Sequence, residues 1–212
     1  MAVIFIFNLS AILMSIPGVI IAVTLHEYAK SLAAFKLGDE NVKKQGRLAP
    51  NPLKHMDPLG SIFMLIFGYG WANPLKLTRF SFANRKQAMI IIFIVPFLVN
   101  IIVGTVFAVC YQLFFLNFVS LGNPNFQIML NIALILQRVA ILNFSFAFFS
   151  LIPIYPLDGA QLLATLSPMA GLKIAQAEKI LQILLAFVII LGGATFVFGP
   201  LVNIIMQALI FI

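Results

Sequence analysis

The chain has 212 residues, of which 62% are apolar and only 9% are charged, and its mean hydropathy is +1.10. Soluble domains are roughly 45–50% apolar and about 25% charged, so this composition excludes a soluble globule, a disordered chain and a fibrous repeat, and predicts an integral membrane protein. We attribute the net charge of +7 to loops facing anionic lipid rather than to nucleic-acid binding, and the single cysteine, Cys110, excludes a disulfide framework or a multi-cysteine zinc site.

The first third of the chain predicts one spanning helix followed by a short apolar segment. Residues 1–14 are apolar without a basic start or a cleavage site, which predicts an additional helix or interfacial segment. Ser15 and Pro17 suit a helix start and Gly38 suits a helix end. The roughly 22 residues between them would span about 33 Å, enough for a bilayer. After a polar, proline-broken loop, residues 59–70 are apolar but too short to span, which predicts a re-entrant or buried segment.

The rest of the chain predicts further membrane helices. Long apolar runs alternate with polar or proline-containing breaks, and the last break is expected at Gly199-Pro200. The apolar runs are 88–116, 126–152, 177–198 and 201–212, with a short helix predicted at 157–168.

The distribution of basic residues predicts the orientation in the membrane. Nearly all Lys and Arg lie in the loops at 38–57 and 73–87 or near the C-terminal helices, whereas the loop at 117–125 carries no charge. The positive-inside rule places the basic loops in the cytoplasm. The candidate site residues described next would then lie toward the cytoplasmic side of a multi-pass cell-membrane protein.

Ionisable residues occur on the first predicted spanning helix, in the run His26-Glu27-Tyr28-Ala29-Lys30. A charged group in a membrane helix costs at least ~2.5–3.5 kcal/mol, which makes such residues functional candidates. His26 and Lys30 are four residues apart and share one helical face. In the zincin motif His-Glu-x-x-His, two His hold zinc and the Glu is the general base. Here Lys30 replaces the second His, and an ammonium has no lone pair for a metal.

A second candidate is Asp158, in the sequence Ile152-Pro153-Ile154-Tyr155-Pro156-Leu157-Asp158-Gly159. The two prolines end the preceding helix and place Asp158 at the start of the next one. On this spacing alone, the pattern favours an aspartate that caps the helix N-terminus.

Together these motifs resemble the site-2 protease family of intramembrane zinc metallopeptidases. The resemblance covers roughly residues 15–168 and is closest to the small bacterial members that lack PDZ and regulatory domains. It implies an all-α bundle of about 4–6 membrane helices with a re-entrant segment after the first core helix, and further membrane helices at 169–212. The other stretches that carry it are 37–39, 45–48, 51–60, 70–74 and Asn143.

The resemblance also implies roles for individual residues. His26 and Asp158 would be zinc ligands, and Glu27 would be the general base. Asn143 would help to hold the substrate backbone or an oxyanion. Lys30 stands at the usual position of the second His ligand, so the zinc site is altered.

The altered site leaves two interpretations open. In one, the Lys30 ammonium replaces zinc, and the protein is a pseudoprotease without a metal that binds membrane-spanning clients. In the other, His26, Asp158 and two waters hold zinc, and the protein cleaves peptide bonds in or near membrane helices. A small transporter that uses these charged residues and Arg138 is a third candidate, disfavoured because paired inverted halves are absent from the sequence. The expected partners are membrane-spanning proteins and the bilayer, not nucleic acid.

Overall fold

The computed structural model describes residues 9–78, 82–119 and 124–210, and in these ranges the regular structure is entirely α-helical. One isolated antiparallel bridge joins Met56 to Ala72. The helices of the described ranges are α1 (Leu9–Lys36), α2 (Asn41–Lys44), α3 (Pro52–His55), α4 (Pro58–Phe67), α5 (Arg85–Phe118), α6 (Phe126–Ser150), α7 (Asp158–Leu166), α8 (Pro168–Gln176), α9 (Glu178–Ile190) and α10 (Gly193–Leu209).

Three helices, α1, α5 and α6, are long and apolar enough to cross a membrane. A fourth span is formed if α9 and α10, which meet at an angle of 63°, count as one. The helices α1, α5 and α6 all pack against one another and form the centre of the bundle. The predicted all-α membrane architecture is therefore confirmed. The described residues supply three spans, or four if α9 and α10 form one, whereas about four to six were predicted.

Two helix boundaries differ from those predicted. Helix α1 already includes Leu9, the first described residue, and the Ser15 hydroxyl donates to the Ala11 carbonyl inside the helix instead of starting it. Residues 1–8 of the predicted N-terminal segment lie outside the described residues. The C-terminal break lies at Gly192, whose φ of 78° is left-handed, while Pro200 lies inside α10. Gly192 adopts that conformation without the steric cost that a side chain would add, so the chain turns there.

Helix α4 and the residues that follow it form a helix-and-return hairpin, the form expected of a re-entrant segment. The Asp57 carboxylate caps α4 by accepting from Gly60 N at 2.8 Å, and Gly68 ends the helix with a φ of 80°. A Cβ on Gly60 would lie 2.1 Å from the Trp71 carbonyl oxygen, so the chain after α4 packs directly on it. We call residues 69–78 the return segment. Ala72 in this segment packs into the same core cluster as Val23 of α1.

The interface between α1 and α6 places the candidate site residues. A Cβ on Gly18 would lie 2.7 Å from Leu142 Cδ1, which shows how closely the two helices approach. Two turns further along α1, His26 meets the ring of Phe146 edge-on, with the ring centroids 4.8 Å apart. The close packing of α1 on α6 therefore points the ionisable face of α1 at the C-terminal end of α6 and the turn beyond it.

Candidate metal site

His26, Glu27 and Lys30 are buried on α1, with 1%, 1% and 2% of their surfaces exposed. Helical geometry sets Lys30 one turn after His26 and Glu27. Because the surrounding side chains exclude water, each charge on this face needs a partner within the protein.

The turn between α6 and α7 supplies the distant partner, Asp158. A Cβ on Gly159 would lie 2.0 Å from the Leu151 carbonyl oxygen, so α7 begins in direct backbone contact with the end of α6. The Tyr155-Pro156 peptide bond in this turn is cis. The prediction that Asp158 caps the helix is wrong, because Leu157 occupies the N-cap position and the Asp158 carboxylate faces α1 instead.

Lys30 lies between the two acidic side chains. Its Nζ donates a hydrogen bond to Asp158 Oδ1 at 2.6 Å and another to Glu27 Oε1. The other Asp158 oxygen, Oδ2, accepts from His26 Nε2 at 2.9 Å. One ammonium therefore bridges both carboxylates, and the imidazole completes the set.

The charge state of Asp158 follows from these contacts. Burial by itself raises the pKa of Asp158, but the Lys30 charge and the hydrogen bond from His26 outweigh it and hold that pKa below its usual value. Asp158 is therefore ionised at neutral pH, as an ion pair with Lys30 requires.

The cluster is enclosed. The cavity beside it has a volume of about 10 Å³, the space of roughly one water. Its walls include Ala72 and Pro74 of the return segment and Leu157 of the turn before α7. A polypeptide can reach Glu27 only if the return segment or that turn moves.

The donor set fits a zinc ion poorly in this arrangement. Ligand atoms of His26, Glu27 and Asp158 all lie within 4.8 Å of one another. A tetrahedral ion with bonds of ~2.0–2.1 Å would hold two such atoms about 3.3 Å apart, whereas His26 Nε2 and Asp158 Oδ2 are 2.9 Å apart and share a proton. Zinc-binding His residues also donate from the second ring nitrogen, but Nδ1 of His26 has no partner in the described part of the chain.

Asn143 is fully buried, but it has no described contact with the cluster. Its amide nitrogen donates to the Val139 carbonyl of its own helix at 2.8 Å, and its amide oxygen lacks a partner among the described residues. A role for Asn143 in holding a substrate remains a prediction.

Arg47 joins the site although sequence reasoning gave it no role. Its guanidinium donates to the carbonyl of Asn73 at 3.1 Å and lies 3.9 Å from Glu27 Oε2, the oxygen that Lys30 does not bond. Arg47 therefore ties the return segment to the acidic cluster. The only signal in the sequence was its place in the 45–48 stretch that resembles the site-2 proteases.

His55 is a further hydrogen-bond partner of Arg47. It is fully buried, and its Nε2 lies 2.8 Å from the Ala49 carbonyl oxygen, which can only accept, so Nε2 carries the proton. Nδ1 then accepts from Arg47 at 3.4 Å. Burial, joined by the nearby Arg47 charge, lowers the pKa of His55, so the imidazole is neutral at pH 7.

We expect Arg47→Met to loosen the return segment and to lower the free energy of unfolding by about 2 kcal/mol, because it removes charged hydrogen bonds from the partly buried carbonyl of Asn73 and from the buried imidazole of His55. SDS titration in mixed micelles measures the stability, and limited proteolysis measures cleavage within residues 69–78. Lys44→Met is the matched control, since Lys44 is exposed on α2. Unchanged cleavage in Arg47→Met would show that the guanidinium does not hold this segment.

Comparison with known proteins supports a metalloprotease ancestry. No protein-family profile and no solved structure matches the chain. A protein of Bacillus subtilis (strain 168) named "Putative zinc metalloprotease YwhC" is 33% identical to it over 190 residues. The match covers 87% of this chain and 83% of the relative. This chain therefore belongs to the same zinc metalloprotease family as YwhC.

Proposed function

We propose that this chain is a site-2-protease-type membrane protein in which the Lys30 ammonium takes the place of zinc, and that it binds membrane-spanning proteins without cleaving them. The observation that carries the proposal is the bridge from Lys30 Nζ to Glu27 and Asp158. Those two carboxylates are the groups that would face a metal at this site.

The charge balance of the cluster supports the proposal. Lys30 and Arg47 supply two positive charges against the two negative charges of Glu27 and Asp158. A divalent ion added to this buried set would leave it with two uncompensated positive charges, which is costly where water is excluded. Zinc would therefore bind only if Lys30 lost its proton or swung out of the site.

The position of Glu27 supports the absence of peptidase chemistry. A general base needs a free oxygen within hydrogen-bonding reach of the water that it activates. One oxygen of Glu27 accepts from Lys30, the other lies 3.9 Å from Arg47, and the adjoining cavity holds roughly one water. In this state Glu27 acts as an ion-pair partner and not as a base.

The scaffold supports membrane-spanning proteins as the proposed clients. The cluster lies at the junction of α1, α6 and α7 in a bundle with three helices long enough to span a membrane. A membrane-spanning polypeptide can approach this junction within the bilayer. The excess of basic residues in the loops at 38–57 and 73–87 supports a cell-membrane protein with this site on the cytoplasmic side.

A zinc peptidase that cleaves membrane proteins is the alternative function. Two observations favour it: the name of the Bacillus subtilis relative and the three potential ligand groups within 4.8 Å. The two functions share fold and location, and they differ in metal content and in turnover.

Metal analysis of Lys30→His separates them. We expect the purified wild-type protein to contain only trace zinc, and we expect Lys30→His to gain about one zinc per chain because it restores a third ligand. Lys36→His is the matched control, since Lys36 is exposed in the last turn of the same helix, and it should gain none. Stoichiometric zinc in the wild-type protein that is lost in His26→Ala would overturn the proposal.

Reconstitution with a panel of single-helix membrane proteins tests the second half of the proposal. Wild-type protein should form crosslinked complexes with some of them and produce no fragments. Fragments that appear with the wild-type protein and disappear with Glu27→Gln would establish the peptidase instead. The absence of any crosslinked complex would refute client binding.

A further inference from the structure

A second, larger cavity lies beside the return segment, and none of the acidic-cluster residues lines it. Its volume is about 580 Å³, which is within the range of roughly 300–1,000 Å³ that is usual for ligand sites. The walls are residues 73–77 of the return segment, helices α7 and α8, and the first residues of α5 and α9. Nothing in the proposed function uses this cavity.

The lining of this cavity favours an anion. Lys76 and Arg85 both line it, and neither side chain has a hydrogen-bond or ion-pair partner among the described residues. Gln161 and Tyr155 add further hydrogen-bond donors. The single acidic group is Glu178, which already accepts from Gln182 at 3.3 Å. Positive charge therefore exceeds negative charge in the cavity.

The position of the cavity along the membrane helices matches the lipid headgroups. Arg85 is the first residue of α5, and Glu178 is the first residue of α9. In both helices the apolar run begins within three residues of that start. Helix α5 has 34 residues and is about 51 Å long, so its ends extend beyond a hydrocarbon layer of ~30 Å. Arg85 thus lies where phosphate groups are concentrated.

Apolar side chains continue outward from the cavity. Met169 and Leu172 of α8 are 69% and 59% exposed, and Ile180 of α9 is 65% exposed. Lys173 lies on α8 beside them. Exposed apolar residues next to lysine are typical of a helix that lies in the membrane interface, where acyl chains can cover the apolar side.

We infer that this cavity binds the headgroup of an anionic phospholipid, with the phosphate held by Lys76 and Arg85 and the acyl chains lying along α8 and α9. Basic pockets between helices at a membrane surface bind such headgroups. A free phosphate would satisfy the two cations but would leave the apolar wall uncovered, so the structure favours the lipid.

The test compares lipid binding by two charge variants of the full-length protein in detergent. Fluorescently labelled phosphatidylglycerol is titrated against delipidated wild-type protein and against the double variant Lys76→Gln/Arg85→Gln. We expect the variant to bind about 30-fold more weakly, since each basic residue near an anionic lipid contributes roughly a factor of five. The control Lys43→Gln/Lys44→Gln removes the same charge from exposed positions on α2 and should change binding by about twofold or less.

A second variant tests the cavity without changing its charge. Ala175 lines the cavity from α8, and Ala175→Phe should occupy part of it and weaken phosphatidylglycerol binding while the protein remains folded. Equal losses in the two double variants would overturn the site in favour of general charge attraction. Equal binding of phosphatidylcholine would also overturn it. Displacement of the lipid by inorganic phosphate or by an acidic peptide at lower concentration than unlabelled lipid would assign the cavity to those ligands.

Discussion

Lys30→Met is expected to lower the free energy of unfolding by about 3–5 kcal/mol, the loss that follows when one partner of a buried ion pair is removed. Methionine nearly matches lysine in length, so packing changes little. Glu27 and Asp158 would then face each other in a closed space without the ammonium that bridges them. SDS titration in mixed micelles, followed by circular dichroism, measures the change.

Two further variants show whether charge is the cause. Lys36→Met removes an exposed lysine from the same helix and should change stability by no more than about 0.5 kcal/mol. The triple variant Lys30→Met/Glu27→Gln/Asp158→Asn removes the cation together with both anions and should recover most of the loss. If Lys30→Met were as stable as wild type, the carboxylates would not both be ionised, and the substitution of an ammonium for a metal would be refuted.

The local part of the site was predictable from the sequence because helical spacing fixes it. His26, Glu27 and Lys30 fall within one turn of a helix that the apolar run predicts, and the structure buries all three. Lys30 and its partner Asp158 are 128 positions apart in the chain, and helical or strand spacing cannot predict a contact over that separation. Only the resemblance to a known family paired them. The capping prediction is wrong because Lys30 and His26 bind the Asp158 carboxylate more strongly than a backbone N–H at the helix start would.

The missed features also depend on tertiary contacts. Arg47 lies in a polar loop, and its sequence context predicts an exposed side chain. In the structure only 6% of that side chain is exposed, because the return segment folds over it. Predicting that contact would have required the path of residues 69–78 in advance. Because proline ends helices, the sequence predicts the C-terminal break at Gly199-Pro200, but the left-handed Gly192 turns the chain before that point. Pro200 lacks the N–H for one helical hydrogen bond, but α10 continues past it.

We expect Gly159→Ala to destabilise the protein by about 3 kcal/mol or more, at or above the upper end of overpacking effects. The new Cβ would lie 2.0 Å from the Leu151 oxygen and 2.5 Å from the Ile152 oxygen, and both are backbone atoms that no rotamer change can move. The turn must shift, and Asp158 must move with it, away from Lys30. The same SDS titration measures the loss of stability. Gly199→Ala is the control, because its Cβ would meet only Thr195 Cγ2 at 3.6 Å.

A double-mutant cycle distinguishes displacement of Asp158 from simple crowding. If Gly159→Ala already separates Asp158 from Lys30, then adding Lys30→Met removes an ion pair that is largely lost. The combined destabilisation should therefore fall short of the sum of the two single changes, by an amount of order 0.5–3 kcal/mol. Strict additivity would mean that the turn absorbs the methyl group while the ion pair stays intact. Glycine at 159 would then matter for packing alone, and the backbone contact between α6 and α7 would not be what delivers Asp158 to the ammonium.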